Sequence, residues 1–126
     1  MTAGRGETPC GDEMVWRWEV RDRRDEKRVF GSTTFRGSLE EQWAAAERLA
    51  AERMALLMWQ VERQSVRRRR APEWERLAGW RVRVWSPHGD VSELADDWLA
   101  VVRAGPLASR WARARQFAPP IRVAAR

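Results

Sequence analysis

The stretch "MVWRWEVRDRRDEKRVFGSTTF", residues 14–35, decides the fold. In its first eight residues Met14, Trp16, Trp18 and Val20 alternate with Val15, Arg17, Glu19 and Arg21, the period of a strand with one wet face. The charged hexapeptide Asp22 to Lys27 has turn character, and "RVFGSTTF" after it is rich in β-branched and aromatic side chains. Together they predict a β-hairpin. Gly31 would mark a bulge or a close approach of another group.

A helix should follow. Ser38 is placed to cap it, and Glu41, three residues on, completes a capping box. Leu39, Trp43, Ala46, Ala50, Met54, Leu57 and Val61 recur at 3/4 spacing as one stripe, and Ala45, Leu49, Leu56 and Trp59 form a second beside it. Between Met54 and Val61 the helix is apolar over more of its circumference than one sheet covers. Met54, Leu56, Leu57, Met58, Trp59 and Val61 therefore mark a surface for later chain, a protein partner or a second subunit. Run to Arg70, the helix would be roughly 45–50 Å long. Pro72 disfavours helical geometry at Ala71 and should stop it there. "PEWERLAG" then reads as one helical turn closed by Gly79.

"WRVRVW", residues 80–85, alternates again and predicts a third strand, with Trp80, Val82 and Val84 on one side and Arg81, Arg83 and Trp85 on the other. "SPHGD" is a turn, after which Asp90 or Ser92 would cap a helix from about Val91 to Ala104 that buries Leu94, Trp98, Val101 and Val102. "LASRWARARQF", residues 107–117, has near-helical apolar spacing, and "APPIRVAAR" ends the chain as a basic irregular tail. The expected fold is α+β: a small antiparallel three-stranded sheet packed on one long helix plus two shorter C-terminal helices, in the order ββαβαα. The expected organisation is a flexible leader over 1–13, a single domain over 14–117 and a tail over 118–126. "WRWEV" at Trp16 and "WRVRV" at Trp80 look like a short internal repeat, each followed by a turn and a helix. Five matched positions do not establish a duplication.

A chain of 126 residues, 44% hydrophobic and with nine tryptophans, can bury one core. Its net charge of +6 is carried almost wholly by arginine, since Lys27 is the only lysine among 24 basic residues. That bias, with abundant Ala and Gly, suits a high-GC bacterial or phage genome, so no single arginine is informative. The distribution is: residues 1–62 hold 10 basic and 12 acidic residues, net −2, and residues 63–126 hold 14 and 6, net +8. A basic partner surface draws mostly on the second half. The lone Cys10 cannot form an internal disulfide, which fits the cytoplasm. The longest strongly apolar run, "MALLMW" from Met54, is far short of the ~20 residues needed to span a bilayer, so no membrane partner is expected.

Catalysis has little support. His88 is the only histidine and sits in a turn, and no Ser/His/Asp set, Cys/His pair or repeated metal-ligand spacing is present. Asp96 and Asp97 are neighbours that point about 100° apart on a helix, where early acids suit the macrodipole. With no Gly-rich phosphate loop either, the chain is expected to be non-enzymatic, with no metal and no cofactor.

Nucleic-acid binding gathers three cues. The basic second half would attract a polyphosphate and release its counterions. Arg67, Arg68, Arg69 and Arg70, with Arg63 upstream, could grip phosphate. Arg17, Arg21, Arg81, Arg83 and Trp85 would stand on the outer face of the sheet, where guanidinium groups reach phosphates or base edges and an indole can stack. Each cue has a structural alternative. Cations in a last helical turn complement the dipole, and strand arginines pair across to Glu19 while their stems cover apolar neighbours. Trp16, Trp18, Trp43, Trp80 and Trp98 fall on core stripes; Trp59, Trp74, Trp85 and Trp111 have less obvious places. Because Arg and Trp are also enriched in interface hot spots, a protein-interaction module or homodimer is the competing expectation.

The segment Val15 to Glu52, "VWRWEVRDRRDEKRVFGSTTFRGSLEEQWAAAERLAAE", resembles the arm-type DNA-binding domains at the N-terminus of tyrosine integrases. Those domains carry an aromatic-basic strand, a charged turn, a second strand ending near Ser/Thr-Phe and an Ala/Glu-rich helix. The resemblance implies that Arg17, Arg21 and Arg36 face DNA, and it favours DNA over RNA. The expected function is that of a DNA-binding accessory or regulatory protein of a bacterium, its phage or a mobile element, acting mainly through phosphate contacts.

Overall fold

The computed structural model describes residues 13–104. The expected tail and second C-terminal helix, and the expected leader apart from Glu13, lie outside the described residues.

Strands β1 (Met14–Arg21) and β2 (Lys27–Phe35) form the expected antiparallel hairpin. Trp18 stands opposite Gly31 in its register. A Cβ added at Gly31 would lie 2.8 Å from Cζ2 of Trp18, so this glycine marks a close approach of an indole. The ladder irregularity lies elsewhere, between Val20 and Arg21.

Helix α1 (Leu39–Arg68) begins on the expected capping box: Ser38 Oγ accepts from the Glu41 N–H at 3.1 Å, and Glu41 Oε1 accepts from the Ser38 N–H at 2.7 Å. Its 30 residues make a rod about 45 Å long. Gln42, Ala46, Ala50, Met54, Met58, Val61 and Ser65 are its buried ridge, a nearly unbroken i,i+4 row. The helix stops before Ala71, because Arg69 turns into the left-handed region at φ 53°. Its N–H reaches Val66 O at 3.2 Å and that of Arg70 reaches Ser65 O at 3.0 Å, the hydrogen-bond pair of a Schellman ending. A 3₁₀ turn (Trp74–Leu77) follows and puts Trp74 and Leu77 into the core.

The rest of the chain corrects the expected three-stranded sheet. β3 (Arg81–Ser86) and β4 (Gly89–Leu94) form a second hairpin across Pro87 and His88, so the sheet has four antiparallel strands in the order β2-β1-β3-β4. Residues 91–94, expected as helix, are strand, and α2 (Ala95–Ala104) starts only after them. The buried side of α2 is Ala95, Leu99 and Val102; Leu94 and Val101 are exposed and Trp98 is half-buried. Trp98 Nε1 donates to Glu93 Oε1 at 2.6 Å and ties α2 to the strand before it.

The two hairpins meet at their first strands. "WRWEV" and "WRVRV" run antiparallel at the centre of the sheet, and their fourth residues, Glu19 and Arg83, are direct partners. Each hairpin thus puts its first strand inside, its second strand at an edge, and a helix after it.

Trp16, Trp18, Val20, Val82 and Val84 face the helices, with Trp16, Met54 and Met58 wholly enclosed. Burial of such side chains contributes roughly 1.5–3 kcal/mol each. Of the buried polar residues of α1, Gln42, Glu52 and Ser65, Gln42 accepts from Trp16 Nε1 at 3.1 Å and donates to Gly37 O at 3.1 Å. Both helices and the 3₁₀ turn add their apolar residues to this one core. Among the described residues, no helix packs on the opposite face of the sheet.

Candidate nucleic-acid interface

The arginines singled out by sequence fall into two groups, separated by the sheet. The first is the end of α1. Arg67, Arg68, Arg69 and Arg70 are all exposed, and none of their side chains has a hydrogen bond or ion pair among the described residues. Arg63, one turn earlier, lays its guanidinium 4.8 Å from the Trp59 ring centroid. Arg63 and Arg67 line a shallow hollow with Gln60 and Gln64, and Arg68 and Arg70 line another with Arg76 and Glu73. The helix dipole favours cations near the last turn. Arg69 and Arg70 lie past that turn, where the effect has largely faded.

The second group lies on the open face of the sheet, opposite the helices. Strand alternation places Val15, Arg17, Glu19 and Arg21 there from β1, Phe30 and Ser32 from β2, Arg81, Arg83 and Trp85 from β3, and Asp90 and Ser92 from β4. Of Arg17, Arg21, Arg81 and Arg83, three are held by carboxylates. Arg21 Nε meets Glu19 at 2.8 Å and its Nη1 donates to Asp25 O at 2.6 Å. The Glu19 hydrogen bond raises the Arg21 pKa above the usual arginine value, against a smaller opposing effect of burial. Arg81 Nη2 reaches Asp25 at 2.7 Å. Arg83 grips Asp90 with both Nε and Nη2, at 3.0 and 3.1 Å, and stacks 4.4 Å from the Trp85 centroid. Arg17 is different: it is exposed and bonded to no side chain among the described residues, and it stands directly across from Trp85. Arg36 lies just beyond β2 and pairs with Glu13 at 2.8 Å.

The apolar surface expected on α1 divides as well. Met54, Met58 and Val61 are buried in the chain's own core, while Leu56, Leu57 and Trp59 are half-buried. Leu57 and Trp59 pack against the core edge. This chain's own sheet and 3₁₀ turn account for much of the excess apolar circumference.

Two side chains were not marked by sequence. Val66 is 72% exposed on α1, in the stripe of Leu56 and Trp59. Phe30 is 68% exposed on the open face, with Lys27 Nζ 5.0 Å from its ring centroid. The signal for Phe30 was available once Gly31 is placed beneath Trp18: if Gly31 faces the core, its neighbour must face away.

His88 is exposed in the β3–β4 turn, where its backbone N–H donates to Ser86 Oγ at 3.0 Å. Asp96 Oδ1 accepts from the Gly79 N–H at 3.0 Å and fixes the start of α2. Among the described residues no group of three or more His, Cys, Asp or Glu is placed to hold a metal, and no helix is long and apolar enough to cross a membrane. No family model matches the chain, and no curated protein or solved structure matches it.

Proposed function

We propose that this chain is a non-enzymatic accessory or regulatory protein that binds nucleic acid, DNA in the first instance, by gripping phosphates with the arginines at the end of α1. The observation that carries the reading is Arg67 to Arg70: four adjacent exposed guanidinium groups with no carboxylate partner among the described residues. Arg69 strengthens it. A residue with a side chain in the left-handed region costs of order 1–2 kcal/mol, and glycine is the usual solution at a helix end. An arginine retained in strain at an exposed site points to use of its charge. The likeness of residues 15–52 to arm-type domains leans the same way. Titration of a labelled DNA duplex at low and at high salt tests the reading. Affinity should fall steeply with salt; binding that is absent at low salt, or indifferent to salt, contradicts it.

Self-association through α1 is the second reading, favoured by Val66, Leu56 and Trp59 on one outward stripe. Light scattering should then give a dimer mass that Val66→Glu reduces to a monomer. A monomer mass for the unaltered protein removes it.

A further inference from the structure

We propose that the open face of the sheet is a stacking platform for unpaired bases of a single-stranded nucleic acid, with Phe30 and Trp85 as the stacking side chains. The inference rests on the nucleic-acid reading but uses a different surface from the arginine run.

Phe30 carries the argument. Phe30 is 68% exposed on a face that no described helix covers. An exposed aromatic ring forfeits a burial gain of roughly 1.5–3 kcal/mol. Trp85 shares this face. The registers place Phe30 opposite Glu19, Glu19 opposite Arg83, and Trp85 two residues past Arg83. Two strand spacings across and two residues along put the two aromatic positions about 12 Å apart. That is far more than the roughly 3.4 Å between stacked bases, so each ring would take its own splayed base.

Charge is supplied beside both rings. Lys27 lies over Phe30, Arg83 lies over Trp85, and Arg17 is the cross-strand neighbour of Trp85 with no ion pair among the described residues. The clamps from Asp90 to Arg83 and from Glu19 to Arg21 hold this surface rigid before a strand arrives. The occupant must be single-stranded. Bases in a duplex are already stacked on one another and offer no free face to a flat sheet, whereas aromatic side chains on sheets stack readily with unpaired bases.

The test measures binding of a labelled oligothymidylate of about 15 nucleotides and of a duplex, at the same salt, by the unaltered protein and by Phe30→Ala, Phe30→Leu and Arg17→Ala. Phe30 is exposed, so its replacement leaves the fold intact, and Leu keeps apolar bulk without a flat ring. The expected result is single-strand affinity reduced about tenfold or more by either Phe30 change, with duplex affinity unchanged. Single-strand affinity unmoved by both Phe30 substitutions overturns the inference, and leaves the proposed function standing if substitution of Arg67 to Arg70 still weakens binding. No binding of either nucleic acid by the unaltered protein overturns both.

Discussion

Phe30 stands directly opposite Glu19 across the β1–β2 pair, so a ring that is 68% exposed neighbours a carboxylate that is only 5% exposed. Glu19 is on the open face, yet it is covered: Arg21 meets it at 2.8 Å and Lys27 at 3.9 Å, and their stems lie over the strand. The middle of this face therefore neutralises much of its own charge, through Glu19 here and through Asp25 and Asp90 against Arg81 and Arg83. Glu19→Gln keeps the shape and removes the charge. Single-strand affinity should rise, and the dependence of log K on log salt should steepen by up to about 1–2 as Arg21 and Lys27 become available to phosphate. A fall in affinity in a folded variant would place the nucleic acid elsewhere.

Gly31→Ala tests the packing that fixes the hairpin register. The new Cβ would lie 2.8 to 3.0 Å from three atoms of the Trp18 indole. That ring cannot retreat freely, because the Arg53 guanidinium lies 3.9 Å from its centroid. The expected loss is about 1–3 kcal/mol, read as a fall in Tm of several degrees. A neutral substitution would mean that Trp18 has room to move.

Trp16→Phe tests the buried polar contact between β1 and α1. It removes the indole N–H that Gln42 Oε1 accepts at 3.1 Å inside the core. Loss of a donor from a buried acceptor costs about 1–3 kcal/mol, and the smaller ring adds a packing loss. Urea denaturation should show a lower midpoint with an unchanged slope. An unchanged midpoint would show that this hydrogen bond contributes nothing net.

The elements with strong local patterns were legible, and those defined by distant partners were not. The alternation of Trp16, Trp18 and Val20 made β1, and Ser38 with Glu41 located the start of α1 to the residue. β4 was hidden because "GDVSEL" offers a single apolar residue, Val91, to the core face, while Asp90 and Ser92 are good helix caps. Its inward polar residue, Glu93, accepts from Trp98 of the next helix. The end of α1 was misplaced for another reason: Pro72 is a visible stop, but a left-handed arginine at position 69 violates the preference for glycine. The arginine run was plain in sequence; its lack of carboxylate partners among the described residues, against the clamped Arg21, Arg81 and Arg83, needed the tertiary fold.

Arg69→Gly separates stability from binding. Glycine accepts φ 53° without strain, so the variant should be more stable by up to about 1 kcal/mol. Its affinity for duplex DNA should nevertheless fall, and its salt dependence should weaken by about one phosphate contact. Thermal unfolding and a salt titration on the same sample read both effects. A variant that gains stability and loses no affinity would make Arg69 a tolerated accident of composition.

The phosphate grip at the end of α1 is tested most directly by the slope of log K against log salt for duplex DNA, compared between the unaltered protein and one carrying Arg67→Ala, Arg68→Ala, Arg69→Ala and Arg70→Ala together. Each phosphate contact contributes roughly 0.9 to that slope. The expected result is a slope shallower by about 3–4 in the substituted protein. An unchanged slope, with the fold intact, would contradict it.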